Sequence, residues 1–323
     1  MTKSPATIFP ERLRSGLVAL PWVIACAMLA YAFIAGGFFV TVMSFAMIYA
    51  VFVIGLNVFM GFAGQVSFGH NAFAALSGYA SAVLTATYYW DPIPAFAVGL
   101  GLALLVALVV GWPTLRLKGH YLAMATLAIG LIVYEIAIQW QSVTQGYMGI
   151  SGISPLGIAG YEIVSERGKL FALMTIVGLS SLAAARLRAS RFGRALAAIA
   201  GSEDAARALG IDVARYKLAA FLVSAAYAAL AGSLFVHVVE FVSPEVFGLH
   251  MVVLAFTMLY VGGIGTLGGP VLGAVIVSLL PELFRSLKDY QDLFYGAGLI
   301  LLLIYAPKGL AALGNLMPRR GKA

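Results

Sequence analysis

Uncharged polar side chains cluster in one short, otherwise apolar stretch of this 323-residue chain. Residues 61–73 are rich in glycine and carry no formal charge, and their polar members together with nearby Asn57 are Gln65, Ser67, His70 and Asn71. Amide, hydroxyl and imidazole groups in a low-dielectric setting can bind groups that need hydrogen bonds, and glycines permit broken helical geometry. The stretch therefore predicts either a discontinuous helix that lines a path for a solute or a close contact between helices.

Glycines mark the same stretch and a second one nearer the C-terminus. They are Gly61, Gly64 and Gly69 in the first, and Gly262, Gly263, Gly265 and Gly269 in the second, directly before Pro270. Small residues allow transmembrane helices to approach closely. Packing is therefore the interpretation that these glycines favour.

Familiar catalytic and metal-binding patterns are missing from the sequence. His70 has no other histidine at ligand spacing, because His120, His237 and His250 are scattered, and the single Cys26 excludes a cysteine-based metal site. No G-x-x-x-x-G-K-[ST] segment is present to hold nucleotide phosphates, and no Ser/His/Asp, Cys/His or H-E-x-x-H pattern indicates an enzyme. We therefore expect a chain that is not an enzyme and binds no metal, nucleotide or other cofactor itself.

The composition is typical of a membrane protein. Apolar residues make up 62% of the chain, charged residues 10%, and the mean hydropathy is +0.98. A soluble domain of this length carries about 25% charged residues, so these few charges cannot cover a water-facing surface. The net charge of +7 therefore says more about orientation in a bilayer than about nucleic acid.

The apolar stretches predict an all-α polytopic membrane protein that forms a single domain over 1–323. Since about 20 apolar residues cross a bilayer core of ~30 Å, the candidate spans lie near 17–35, 38–60, 67–88, 94–113, 120–140, 169–187, 216–239, 248–264, 267–285 and 291–307. Glycines and Pro270 interrupt 248–285, which predicts either two short spans or one span with a re-entrant hairpin. About ten transmembrane helices are expected, or eight if two candidates fail.

The distribution of Lys and Arg predicts the orientation. If the chain has ten spans and its N-terminus lies in the cytoplasm, 16 of the 20 Lys and Arg residues fall in cytoplasmic segments. Three of them precede the first span, two lie at 116–118, seven over 186–217 and four after 307. The positive-inside rule then favours an N-in, C-in chain. It places a cytoplasmic segment at 1–16, a periplasmic loop at 141–168, a cytoplasmic loop at 188–215 and a cytoplasmic tail at 308–323.

Glu135 is the one acidic residue well inside a predicted span. Ionisable groups within a membrane are costly and by default suggest function. Glu135 is therefore a candidate for the translocation path, where its carboxylate could pair with an ammonium group. A neutral or hydrogen-bonded carboxyl group between helices is the structural alternative.

The cytoplasmic loop contains a predicted short helix. Ser202 is a good N-cap, Glu203 and Asp204 follow in the first turn, where the helix dipole favours negative charge, and Gly210 suits a left-handed C-terminal cap. A capped amphipathic helix between two spans can act as a rigid knob that docks into a groove of a partner. A short helix without any docking function is the plainer alternative.

This loop also carries a family resemblance. Asp204-Ala205-Ala206, three further residues and Gly210 resemble the EAA-x-x-x-G signature of bacterial ABC importer permeases, with Asp204 in the place of the glutamate. In that family the segment is the coupling helix, which sits in a cleft of the ATPase subunit. The wider stretch 191–217 resembles the LivM-type permease of branched-chain amino acid importers. The resemblance implies that coupling to an ATPase involves Ser202, Glu203, Asp204, Ala205, Ala206, Arg207 and Gly210.

Both glycine-rich segments carry the same resemblance. Residues 61–70 resemble the family's Gly-x-x-Gly-Gln-x-Ser-x-Gly-His segment, and residues 262–274 resemble its Gly/Pro-rich segment near the C-terminus. The resemblance implies a type I ABC importer permease of the bacterial inner membrane. Its partners are a second permease, either LivH-type or another copy, two ATPases that bind ATP and Mg²⁺, a periplasmic substrate-binding protein and the lipid bilayer, without nucleic acid.

The resemblance implies branched-chain amino acids as substrates, while urea, short amides and aromatic acids are used by similar systems. An ion-coupled secondary transporter is the rival class. It needs several intramembrane ionisable groups to carry the coupling ion, and here only Glu135 qualifies. A passive channel is a further rival, but it has no need of a docking helix.

Overall fold

The computed structural model describes residues 37–158, 161–283, 296, 300 and 309–311. The predicted first and last spans, at 17–35 and 291–307, lie outside the described residues. The same holds for the segment 1–16 and for all of the tail 308–323 except 309–311.

Helices dominate the part of the chain that the structure describes. They are α1 (Phe38–Asn57), α2 (His70–Ala86), α3 (Pro92–Thr114), α4 (His120–Gln139), α5 (Gln141–Thr144), α6 (Glu166–Ala189), α7 (Arg191–Gly201), α8 (Glu203–Ala208), α9 (Val213–Val239), α10 (Leu249–Gly262) and α11 (Gly269–Leu283). A π-helical turn, Val58–Phe62, extends α1, and 3₁₀ turns occupy Gly146–Met148 and Pro244–Phe247. Short strands β1 (Ile150–Ser151), β2 (Gly157–Ile158), β3 (Tyr161–Glu162) and β4 (Phe241–Val242) lie in the connections.

Each predicted span between 38 and 285 corresponds to one helix of the bundle: α1, α2, α3, α4, α6, α9, α10 or α11. Among the described residues, five helical segments are long and apolar enough to cross a membrane, namely Phe38–Phe62 and the helices α3, α4, α6 and α9. The ambiguous stretch 248–285 forms two short helices, α10 with 14 residues and α11 with 15. At 1.5 Å per residue, α10 and the described part of α11 are each shorter than a bilayer core of ~30 Å. The two helices pack against each other as a helical hairpin.

The centre of the bundle is built by α1 and α9, whose side chains are mostly buried, whereas α3, α4 and α6 expose most of theirs. Helix α9 packs against α1, α2 and α3. Small residues allow the closest of these approaches, because a Cβ atom at Gly232 of α9 would overlap the carbonyl oxygen of Ala74 in α2. Beside this crossing, the hydroxyl oxygens of Ser77 and Ser233 lie 2.9 Å apart.

The connections gather at two ends of the bundle, which agrees with the predicted alternation of inner and outer loops. One end of the bundle is here called the α8 end. It is formed by four neighbouring connections, residues 63–69, 115–119, 190–212 and 263–268, and there Lys118 Nζ lies 3.6 Å from Asp204 Oδ1. At the other end β1 pairs with β4 and β2 with β3. The charge distribution predicts that the α8 end is cytoplasmic.

Replacing Gly232 with valine is expected to destabilise the bundle by about 1–3 kcal/mol, because the added atoms overpack the crossing of α2 and α9. The measurement is the thermal unfolding midpoint of the detergent-solubilised chain. Gly101→Ala on the exposed face of α3 is the matched control, since a Cβ atom there meets nothing within 4 Å. Equal midpoints for Gly232→Val and the control would contradict the proposed close crossing.

Candidate functional site: a loop helix tied to a broken helix

The glycine-rich stretch after α1 is a broken helix. Regular α-helical bonding ends at Asn57, a π-helical turn follows, and the backbone N–H of Gln65 donates to the carbonyl of Phe59 at 3.2 Å. Residues 63–69 are not helical, and Gly64 adopts a positive φ of 67°. The predicted break in the helix is therefore observed. It directly follows a π-helical turn, a distortion that often marks functional sites.

Asn57 joins the two glycine-rich segments to each other. Its Nδ2 donates to the carbonyl of Thr266 at 2.7 Å, and its Oδ1 accepts from the N–H of Gly265 at 2.8 Å. Gly61 fits between them, since a Cβ atom there would lie 2.6 Å from the nitrogen of Gly265. Both halves of the Asn57 amide are thus used inside the chain.

The remaining predicted glycines also lie at close contacts. A Cβ atom at Gly64 would lie 3.1 Å from Ala200, and one at Gly69 would overlap the backbone of Thr126. In the α10–α11 hairpin, a Cβ atom at Gly262 would overlap the backbone of Gly269, and a Cβ atom at Gly269 would overlap the carbonyl oxygen of Gly263. Gly263 itself has a positive φ of 117°. These contacts support the packing interpretation of the glycines.

His70 and its neighbours lie in the interior of the bundle. The Nδ1 of buried His70 lies 3.0 Å from Ser67 Oγ, and the ring is surrounded by the aromatic side chains of Phe59, Phe73 and Phe221. Among the described residues, no group of His, Cys, Asp and Glu side chains could hold a metal ion. This environment fits a packed, hydrogen-bonded histidine.

Asn71 bridges α2 to the turn before α10. Its Nδ2 donates to the carbonyl of Phe247 at 2.9 Å, and the residue is buried. Asn57, Gln65, Ser67, His70 and Asn71 are all buried within this one chain. The structure thus places this predicted set between packed elements, and a role in a solute path stays a prediction.

Helix α8 has the predicted caps. Ser202 Oγ accepts from the N–H of Ala205 at 3.3 Å, which satisfies one of the free N–H groups of the first turn. At the other end Gly210 has a φ of 83°, and the N–H groups of Gly210 and Ile211 return to the carbonyls of Arg207 and Ala206. This is a Schellman cap, for which glycine is the preferred residue.

The two acidic residues of α8 point in different directions. Asp204 is exposed and pairs with Arg207 at 3.0 Å, and Leu209 beside them is 81% exposed. The Glu203 carboxylate turns into the protein instead, where its side chain is 18% exposed. Helix α8 thus has an outer face, defined here by Asp204, Ala205, Arg207 and Leu209, and an inner anchor, Glu203.

Glu203 binds two parts of the bundle through one oxygen atom. Its Oε1 accepts from Lys217 Nζ at 2.9 Å and from Gln65 Nε2 at 3.0 Å. Lys217, in the second turn of α9, has a side chain only 2% exposed. The loop helix, the broken helix and α9 therefore meet at a single carboxylate.

Lys217 is the functional residue that the sequence analysis missed. It counted there only as one of the basic residues that set orientation. A lysine at the start of an apolar span, shortly after a loop with three acidic residues, is the one signal that could have suggested a buried partner. That signal does not say which of Glu203, Asp204 and Asp212 the lysine binds.

Glu135 lies apart from this network. It is exposed on α4, on the same helix face as Leu131 and beside Ile132, Ile136 and Gln139. Next to this face, α4 and α10 form an apolar groove, in which Phe68 stacks on Phe256 with ring centroids 4.4 Å apart. The structure therefore does not bring Glu135 together with Asn57, Gln65, Ser67, His70 or Asn71.

Reversing one charge of the Glu203–Lys217 pair is expected to destabilise the chain strongly, and reversing both is expected to restore much of the loss. Glu203→Lys or Lys217→Glu alone leaves like charges at a buried site, and breaking a buried pair typically destabilises by about 3–5 kcal/mol. In the double variant the pair is re-formed, and the Gln65 amide can turn its oxygen towards the new ammonium group. Thermal unfolding of the detergent-solubilised chain is the measurement.

The control for this pair is Arg215→Glu, which breaks the exposed pair of Arg215 with Asp212 at 2.9 Å. Little change is expected there, since exposed ion pairs contribute little. If the double variant is as unstable as the sum of the two single variants, Glu203 and Lys217 do not stabilise the chain as a pair.

Comparison with known proteins gives a consistent result. Residues 38–303 match the family model described as the permease component of branched-chain amino acid transport systems. The high-affinity branched-chain amino acid transport system permease protein LivM of Escherichia coli K12 is 33% identical over 298 residues, which cover 84% of this chain and 69% of that protein. No solved structure matches the chain significantly.

Relatives of a second type also match. The permease protein LivH of Salmonella typhimurium is 28% identical over 284 residues, which cover 81% of this chain and 90% of that protein. The probable branched-chain amino acid transport permease protein LivM of Methanocaldococcus jannaschii is 28% identical over 260 residues, with 72% and 73% covered. The chain thus resembles both LivM and LivH, and the LivM protein of E. coli more closely than this LivH.

Proposed function

This chain belongs to the family of permease components of branched-chain amino acid transport systems, and we propose that it is the LivM-type subunit of an ABC importer in the bacterial inner membrane. The proposed substrates are leucine, isoleucine and valine, which the names of its relatives support. A LivH-type permease is the proposed partner, because both types occur among the relatives. Two ATPases and a periplasmic binding protein complete the proposed importer.

The observation that carries the proposal is the attachment of α8 to the bundle through Glu203. A docking helix can transmit force only if it is rigid and firmly joined to what it moves. Helix α8 is capped at both ends, and its buried Glu203 binds Lys217 of α9 and Gln65 of the broken helix. Its outer face is exposed in the part of the chain that the structure describes, as docking to an ATPase requires. These features support α8 as the coupling helix.

The proposed transmission runs from α8 to the α10–α11 hairpin. When α8 moves, Glu203 displaces Gln65 through their hydrogen bond. Gln65 lies just after the π-helical turn, and its backbone N–H donates to the carbonyl of Phe59. Asn57, at the start of that turn, holds the hairpin loop through Gly265 and Thr266. We place the conformational change of this transmission in residues 63–69, because their backbone is already non-helical and can change without breaking a regular helix.

The proposed path for the solute lies along the exposed faces of α4 and α10, where the second permease covers it. The groove between these helices is apolar and is lined by Phe68, Leu127, Leu249, Val252, Val253, Phe256, Thr257 and Tyr260. Leu127 and Glu135 share one face of α4, about 12 Å apart along the axis. An apolar groove suits an aliphatic side chain, and Glu135 suits the ammonium group of the same amino acid.

Uptake of labelled leucine into proteoliposomes that contain the complete importer separates this proposal from its alternatives. Competition by isoleucine and valine, but not by urea or benzoate, is the expected result. Competition by urea or benzoate alone would favour an importer of amides or aromatic acids. Uptake that persists without ATP and follows a proton or sodium gradient would favour a secondary transporter.

Asp204→Lys is expected to reduce co-purification of the ATPase subunits and ATP-driven leucine uptake together, since it reverses a charge on the outer face of α8. Lys217→Met also breaks the buried pair, so it is assayed only as the fraction that elutes as folded chain from size-exclusion chromatography. That fraction is expected to keep the ATPases bound but to lower uptake per ATP hydrolysed, because the outer face is intact while the inner anchor is broken. Co-purification, ATP hydrolysis and leucine uptake are measured on the same preparations.

Arg186→Glu is the control for these variants, because Arg186 is exposed at the same end of the bundle but belongs to α6. If Asp204→Lys behaves like this control, α8 is not the docking helix. If Lys217→Met loses the ATPases as Asp204→Lys does, the pair holds α8 in place without a separate role in transmission.

Glu135→Gln is expected to lower leucine uptake mainly through a higher KM, because the neutral amide no longer pairs with the ammonium group. ATPase co-purification is expected to stay unchanged, since Glu135 lies far along α4 from α8. Glu162→Gln, at an exposed carboxylate of the outer loop, is the matched control. An unchanged KM for Glu135→Gln would remove Glu135 from the proposed path.

A further inference from the structure

A cavity rich in cationic side chains lies between the end of α3 and the start of α9. It has a volume of about 350 Å³ and also borders α8. Its cationic lining residues are Arg116, Lys118, Arg207, Arg215 and Lys217, while Glu203 is the one acidic residue among those that line it. From this set, the function proposed above uses Glu203 and Lys217 in the inner anchor and Arg207 on the outer face of α8, and it leaves Arg116, Lys118 and Arg215 unassigned.

The acidic groups around the cavity do not balance its positive charge. Lys118 and Arg207 share the single carboxylate of Asp204, at 3.6 and 3.0 Å. Lys217 and Arg215 are paired one to one, with Glu203 and Asp212. Three carboxylates therefore face five cations, which leaves a surplus that attracts an anion.

Arg116 is the cation that lacks a carboxylate. No described acidic side chain lies within ion-pair distance of it, and its guanidinium lies 4.2 Å above the centre of the Trp112 ring. This contact with Trp112 leaves the N–H donors of the Arg116 guanidinium available. A planar set of donors of this kind matches the geometry of a phosphate group.

The cavity lies where a lipid headgroup is expected. Trp112 is 62% exposed at the end of the apolar, mostly exposed helix α3, and Gly111, Leu115 and Leu218 complete an apolar wall beside the cations. Tryptophan is enriched at the boundary between membrane and water. The wall thus continues towards the hydrocarbon region, while the cations lie at the α8 end, which is predicted to be cytoplasmic.

We propose that this cavity binds the phosphate of an anionic phospholipid from the inner leaflet, with Arg116 as its main ligand and Trp112 against the lipid chain. Basic pockets between transmembrane helices on the cytoplasmic side are suited to such headgroups. A free phosphate ion is also an anion but makes no use of the apolar wall or the exposed Trp112. The lipid also lies beside Lys118 and Arg207, which hold Asp204 of α8.

The test uses the full chain with Trp112 as its one tryptophan, obtained by Trp22→Phe, Trp90→Phe and Trp140→Phe. It is reconstituted in phosphatidylcholine vesicles that contain either brominated phosphatidylglycerol or brominated phosphatidylcholine as the quencher of Trp112 fluorescence. The ratio of the two quenching curves gives the preference of the site for the anionic lipid. We expect clear preferential quenching by phosphatidylglycerol.

Arg116→Glu is expected to reduce this preference about thirtyfold. Each cation near the surface contributes about 1 kcal/mol to the binding of anionic lipid, and the substitution changes the charge of the site by two units, so the binding free energy falls by about 2 kcal/mol. Arg186→Glu makes the same change in net charge at an exposed position of the same end that does not line the cavity. It is expected to leave the preference unchanged. Equal effects of the two variants would overturn the proposal, because they would indicate general surface charge.

Two further arms separate the possible occupants. Inorganic phosphate is added and compared with chloride at equal ionic strength. A phosphate-dependent change in Trp112 fluorescence without preferential quenching by phosphatidylglycerol would show that the site takes a free anion and would overturn the lipid assignment. Loss of ATPase co-purification in Arg116→Glu with unchanged quenching would assign the cavity to a protein contact instead. Quenching that phosphate does not relieve supports the lipid.

Discussion

A charged pair inside a membrane protein must be satisfied, and this constraint organises the end of the bundle that carries α8. The Lys217 side chain is only 2% exposed, so its ammonium group needs an anion beside it. Glu203 supplies that anion from a loop helix, and Gln65 donates a second hydrogen bond to the same oxygen. The loop helix is thereby fixed to the bundle by a contact that is costly to break.

The same rule explains the two glycine-rich segments. A helix that breaks inside the bundle leaves backbone N–H and C=O groups without partners, and in a membrane these must be satisfied within the protein. Asn57 does this for Gly265 and Thr266, and the small Gly61 allows the two backbones to come close enough. The break after α1 and the α10–α11 hairpin are therefore joined by direct hydrogen bonds, and the proposed transmission from Gln65 to the hairpin uses these bonds.

The proposed functions are divided between two surfaces of the chain. The outer face of α8 and the cationic cavity beside it lie at one end, where an ATPase and a lipid headgroup are the proposed partners. The exposed faces of α4 and α10 lie along the side, where a second permease and the solute are proposed. Glu203 and Asp204, adjacent in the sequence, show how this division works: one holds α8 to the bundle, while the other faces outwards.

The sequence by itself determined the features that depend on neighbouring residues. Apolar runs located the helices of the described chain, Ser202 and Gly210 marked the ends of α8, and glycines marked the break before His70, because capping, helix propensity and hydropathy act over a few residues. Tertiary structure alone decided which polar groups meet. Asn57 and Gly265 are 208 residues apart, Lys217 lies 14 residues from Glu203 across a turn, and Glu135 faces outwards. Contacts of this kind depend on how the helices pack, which no local pattern records.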